Sequence, residues 1–103
     1  MAGPWLVSLS PEATEDYQNL DHSVASLVDL AIEKLRIAPE LRGHALKGNL
    51  AGCRSLVVGK KKLRVVYEIE TDRVLVYVIA IGHRRDDEVY IRASNRLDPK
   101  WRA

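Results

Sequence analysis

Leu63-Arg64-Val65-Val66-Tyr67-Glu68-Ile69-Glu70, then Thr71-Asp72, then Val74-Leu75-Val76-Tyr77-Val78-Ile79-Ala80-Ile81: these runs decide the fold. The first is rich in β-formers, and Thr71-Asp72 leaves room only for a hairpin turn. The second is almost continuously apolar and β-branched, the pattern of a strand buried on both faces, and it is read as the central strand. Just upstream, residues 54–58 form another strand, ended by Gly59 and the turn Lys60-Lys61-Lys62. Short connections make these three strands antiparallel neighbours. Gly82 is expected to end the last of them. Asp86-Asp87-Glu88, suited to the positive end of a helix dipole, then open a short helix to about Leu97. Pro99 and the tail Lys100-Trp101-Arg102 follow.

Further upstream, residues 43–52 are glycine-punctuated and polar and read as loop. Trp5, Val7 and Leu9 alternate with Leu6 and Ser8, which predicts an opening strand. Ser10-Pro11-Glu12 is a helix start: a capping hydroxyl, a proline pre-set for the first turn, and an acid beside the dipole. That helix should reach about Leu20. Asp21-His22-Ser23 supplies side chains to cap a second helix over residues 23–37, where Val24, Leu27, Val28, Ala31 and Leu35 recur at helical spacing. Pro39 stops it. The fold expected is α+β in one domain, residues 1–103, of order β-α-α-β-β-β-α, a small antiparallel sheet with an N-terminal helical hairpin packed on one face.

A chain of 103 residues, 47% hydrophobic and 29% charged, has the composition of a folded domain. One cysteine, Cys53, cannot make an internal disulfide, and no Cys/His spacing suggests a metal, so no cofactor is expected. The N-terminal residues lack a basic segment followed by an apolar one, and no apolar run approaches membrane-spanning length. A cytoplasmic protein is expected.

Net charge is only +2, but it is unevenly placed. Residues 1–40 carry two basic residues against seven acidic, and residues 41–103 carry fourteen against seven. Such asymmetry fits one surface turned to a polyanion, or two separately solvated faces. Nucleotide-binding loops, zinc-protease motifs and serine triads are missing. A basic and aromatic set near the strand ends remains: Arg64, Tyr67, His83, Arg84, Arg85 and Tyr90. Guanidinium groups match phosphate geometry, tyrosine can stack on or orient a base, and histidine can move a proton. Tyr67 fits a core position as well as a functional one. His22 and His44 sit in loops and are read as inert, and Trp5 and Trp101 as packing anchors.

Leu46-Lys47-Gly48, Cys53, Leu63-Arg64-Val65-Val66-Tyr67, Val76 through Gly82-His83-Arg84-Arg85, and Val89-Tyr90 together resemble the RelE-like toxins of the RelE/ParE superfamily. The similarity runs over most of the chain. It implies a toxin of a type II toxin–antitoxin system that enters the ribosomal A site and cleaves messenger RNA by 2′-hydroxyl attack. By resemblance, Arg64 falls on an arginine that stabilises the transition-state phosphate. Arg84 falls on one credited with phosphate stabilisation or leaving-group protonation, and Tyr90 on a tyrosine that orients the nucleotide. His83 replaces a basic residue just before the second arginine. Lys47, Arg54, Lys60, Lys61, Lys62 and Arg85 are the expected RNA-binding cations.

The chain departs from the family where two lysines stand on the first strand of the hairpin region, one credited with activating the 2′-hydroxyl. Ser55 and Val57 occupy those positions. Either another group serves as base, with Arg54, Lys47, the Lys60–Lys62 turn and His83 as candidates, or activity is reduced. Two other readings stay open: a ParE-like inhibitor of DNA gyrase, and a binding-only partner of an antitoxin. The resemblance also implies a hetero-oligomer with an antitoxin. That partner is expected to be amphipathic and to fold on binding, covering the basic face, displacing the last helix, or docking on the helical hairpin.

Overall fold

The computed structural model describes residues 4–59 and 62–97. Lys60, Lys61 and Trp101 lie outside the described residues. The chain opens with strand β1 (Leu6–Leu9) and helix α1 (Pro11–Gln18). Ser10 caps α1 as its sequence suggests: its Oγ accepts the Ala13 N–H at 3.0 Å. Helix α2 (His22–Leu35) follows, although Asp21 at its N-cap makes no side-chain cap. The helix ends three residues before Ala38, which adopts φ 47°, and Pro39 then starts a 3-10 turn, Pro39–Leu41.

The region expected to be loop contains a two-residue strand, β2 (His44–Ala45), paired antiparallel with β3 (Cys53–Val58). Gly43 makes this possible. Its φ is +61°, and a Cβ there would run into the Ser55 carbonyl. Strands β4 (Leu63–Glu70) and β5 (Leu75–His83) complete a five-stranded sheet of order β1-β5-β4-β3-β2. The sheet is antiparallel from β2 to β5, but β1 joins β5 in parallel, Leu6 opposite Leu75 through Leu9 opposite Val78. The element order thus gains one strand, the sheet is mixed, and β4 rather than β5 is the middle strand. Strand β5 also runs one residue beyond Gly82, to His83.

A bulge in β5 sets the two faces. Register shifts between Val66 and Tyr67, which pair with Ala80 and Val78, so Ile79 is the extra residue. Val65, Tyr67, Val76, Val78 and Ile81 face α1 and α2, packing with Ala13, Val28 and Leu35. Cys53, Val66, Ile79 and Ala80 face the other way and pack against Val89 and Ala93 of α3 (Glu88–Arg96). The helical hairpin therefore covers one face, as expected, and α3 covers the opposite one. Tyr67 is a core residue: fully buried, it donates to the carbonyls of Pro39 and Arg42 at 3.0 and 2.9 Å.

Candidate functional site

Because β1 stops at Leu9, the second half of β5 is paired with β4 on one side and has no strand on the other. Its backbone groups are met by side chains instead. The Asp16 carboxylate accepts the Ile81 N–H at 3.0 Å, and Arg96 donates to the Ile79 carbonyl at 3.0 Å. Arg92 donates to the Ile81 carbonyl at 3.2 Å. The same two guanidinium groups bind Asp16, Arg92 at 2.8 Å and Arg96 at 2.7 and 3.1 Å. One buried carboxylate on α1 thus ties α3 to an open sheet edge. Gly82 lies beneath this network, and a Cβ there would collide with the Arg92 guanidinium.

This anchor fixes Tyr90. Its hydroxyl lies 3.0 Å from Ser55 Oγ on β3, a residue only 3% exposed. Val57 shares that face two residues on and pairs across the ladder with Arg64, whose other neighbour is Gly82. The fold therefore brings Ser55, Val57, Arg64 and Tyr90 to the α3 side of the sheet. The Arg64 guanidinium also donates to the Leu63 carbonyl at 3.2 Å.

At the end of the β4–β5 hairpin, the Arg84 N–H bonds the Lys62 carbonyl at 3.0 Å and extends the pairing past His83. Beyond it opens a cleft of about 400 Å³ lined by Lys62, His83, Arg84, Arg85, Asp86 and Asp87. Asp86 and Asp87 do not open α3 as simple caps: they sit in a 3-10 turn at φ 53° and 56°, and Asp87 makes no side-chain cap. Two non-glycine residues held at positive φ are unusual, and such strain persists where surrounding structure enforces it.

Of the expected cations, Lys62, His83, Arg84 and Arg85 meet in this cleft, and Lys47 lines a second groove together with Tyr90. Arg54 is not brought to either. It faces the helical hairpin, where it donates to the carbonyls of Arg42 at 2.8 Å and Gly43 at 3.3 Å. There it holds the loop and lies beside Tyr67. Burial raises the Tyr67 hydroxyl above its ordinary pKa, and the Arg54 charge draws it partly back. His22 begins α2 and His44 lies in β2, both exposed.

Sequence reasoning passed over Asp16, Arg92, Arg96 and the Ser55–Tyr90 link. The one available signal was the four-residue step from Arg92 to Arg96, which puts both on one helical face. A cleft carrying three basic side chains, a histidine and two carboxylates, with Arg64 and Tyr90 on the α3 side of the sheet, can hold a phosphodiester and present a neighbouring atom for proton transfer.

Over residues 7–88 the chain matches the family described as the ParE toxin of the type II toxin–antitoxin system, parDE. It belongs to that family. Among curated proteins it is similar to the mRNA interferase toxin RelE of Escherichia coli K12, 23% identical over 93 residues, 90% of this chain and 97% of the relative. A solved structure of an arginine-to-alanine double mutant of E. coli toxin RelE, in the free state, shares the fold with a TM-score of 0.77. It is 21% identical and covers 92% of this chain and 99% of its own. The toxin–antitoxin complex RelBE2 of Mycobacterium tuberculosis contains a chain 26% identical, with a TM-score of 0.69, covering 82% of this chain and 95% of its own. This toxin is thus RelE-like within the RelE/ParE superfamily. Among its described residues, no helix is long and apolar enough to cross a membrane.

Proposed function

We propose that this toxin is a messenger-RNA endoribonuclease that works on the ribosome, in the cytoplasm, and is held inactive by an antitoxin in a hetero-oligomer. The observation carrying this reading is the cleft of Lys62, His83, Arg84 and Arg85, completed by Asp86 and Asp87, at the end of the ladder in which Arg64 pairs with Gly82. The name of its E. coli relative, mRNA interferase, agrees with it.

In the reaction, a 2′-hydroxyl loses its proton to a base and its oxygen attacks the adjacent phosphorus. The bond to the 5′-oxygen then breaks, and that oxygen takes a proton. The products are a 2′,3′-cyclic phosphate and a free 5′-hydroxyl. Arg64 and Arg84 are assigned to the charge that builds on the phosphoryl oxygens. Tyr90, held by Ser55, orients the nucleotide. Ser55 is buried against that hydroxyl and Val57 has no ionisable group, so neither supplies the base. His83, exposed at the cleft, is the residue assigned to proton transfer.

Primer extension on programmed ribosomes carrying a defined messenger tests this, with Arg84→Ala as control. A-site cuts are expected with the parent and not with the variant. Gyrase binding is the second reading, favoured by the absence of an ionisable side chain at Val57 beside Arg64. A folded protein that leaves messenger intact but blocks supercoiling would establish it.

A further inference from the structure

Helix α3 has three working faces, and two are accounted for. Val89 and Ala93 enter the core, and Arg92 and Arg96 reach Asp16. The third is a stripe of Tyr90, Ile91, Ser94 and Asn95 at steps of three and four residues, with Asp87 just before the helix start. It forms one wall of a groove of about 340 Å³, and the segment bearing Lys47, Asn49 and Leu50 forms the other. Leu50 and Ile91 supply apolar surface. The remaining lining is an aromatic ring, two amides, a hydroxyl, an ammonium and one carboxylate.

Asp87 lines both this groove and the cation cleft, so the two meet at that residue. The cation cleft also holds Asp86, and the Asp87 side chain between the two is a carboxylate. It only accepts hydrogen bonds, and the donors an RNA chain offers besides the 2′-hydroxyl are the N–H groups of base edges. Asn49 and Asn95 both donate and accept, as base-edge readers do. Lys62, Arg84 and Arg85 gather on one side of Asp87, and the stacking ring and amides, with Lys47, on the other.

We propose that the groove between α3 and residues 47–50 is a base-reading subsite. It takes the base next to the phosphate held in the cation cleft, stacks it on Tyr90, and reads its edge with Asp87, Asn49 and Asn95. The inference rests on the RNA-binding reading of the site and adds a specificity determinant to it. Because Asp87 only accepts, the subsite selects bases with an exocyclic amine: adenine, guanine and cytosine. Uracil presents a single N–H flanked by two carbonyl oxygens, and these face the carboxylate.

The test is an NMR titration of the full chain with the four ribonucleoside 3′-monophosphates and with inorganic phosphate. Phosphate should move the backbone signals of His83, Arg84 and Arg85. The adenine, guanine and cytosine nucleotides should also move the side-chain amides of Asn49 and Asn95, with uridine monophosphate about tenfold weaker. Asp87→Asn should erase that preference, since an amide donates as well as accepts. Asparagine also tolerates the left-handed backbone of this position, φ 56°, so the variant keeps the turn. Shifts confined to residues 83–85 with every nucleotide, or a base ranking unchanged in Asp87→Asn, would overturn the subsite. Base-selective shifts without any cleavage on ribosomes would uphold the subsite and remove the nuclease reading. Cleavage with no base preference in the titration would do the reverse.

Discussion

Replacing Asp16 by alanine should loosen α3 and cost this protein a large share of its stability. The carboxylate accepts the Ile81 N–H and three guanidinium contacts, and its side chain is only 6% exposed. Removing one partner of a buried ion pair costs about 3–5 kcal/mol, because the other charge is left without compensation. Here Arg92 is 35% exposed and Arg96 18%, so solvent recovers part of that loss, and the lower end applies. The stranded Ile81 N–H, which faces the edge that β1 leaves open, adds about 1 kcal/mol. The expected total is about 3–4 kcal/mol, against roughly 5–15 kcal/mol for a whole domain. At this chain length that lowers Tm by about 12–32 °C. Urea unfolding followed by circular dichroism gives the global value. Hydrogen exchange at Ile81 and along α3 separates local fraying from global loss. A change below about 1 kcal/mol with α3 protection intact would refute the assignment of Asp16 as the anchor.

Gly82→Ala should cost about 1–2 kcal/mol in the parent, because the new methyl displaces Arg92 from Asp16. In an Arg92→Ala background the same change should be neutral or slightly stabilising, and a thermal-melt double-mutant cycle reads the difference. Tyr67→Phe should lose about 1 kcal/mol near neutral pH through its two carbonyl contacts. The Tyr67 hydroxyl has a raised pKa in the folded state. Its contribution is therefore complete below about pH 10, the ordinary tyrosine value, and falls as pH climbs through the folded value. Alkaline melts should show Tyr67→Phe losing less stability than the parent over that range. Ser55→Ala removes the partner of the Tyr90 hydroxyl and should lower messenger cleavage more than tenfold while costing about 1 kcal/mol of stability, as read by single-turnover kinetics and urea titration.

Much of the chain was legible before any coordinates. Ser10 and Pro11 start α1 because capping and proline geometry are local effects. The bounds of β4 follow from β-propensity and its flanking turns. Strand β2 was hidden because His44–Ala45 carries no periodic signal: it exists only because Gly43 lets the backbone approach Ser55. The parallel β1–β5 pairing and the placement of α3 opposite the hairpin were equally invisible. Both depend on how distant segments meet, and on a one-residue bulge at Ile79 that reverses which side chains face which layer.

The same division holds for the site. The run from Gly82 to Tyr90 already carried the phosphate-binding and nucleotide-orienting residue types in order, since side-chain chemistry is a property of the residue. Sequence by itself thus determined the fold class, the charge asymmetry, and Arg64, Arg84 and Tyr90 as candidates. Only the tertiary structure separated Arg54, committed to the carbonyls of Arg42 and Gly43, from cations that line a cleft. It alone joined Ser55 to Tyr90, and Asp16 to Arg92 and Arg96, across 35, 76 and 80 residues of chain. Hydrogen bonds act over about 3 Å of space and carry no trace of sequence separation, so such partners emerge only when the fold has brought them together.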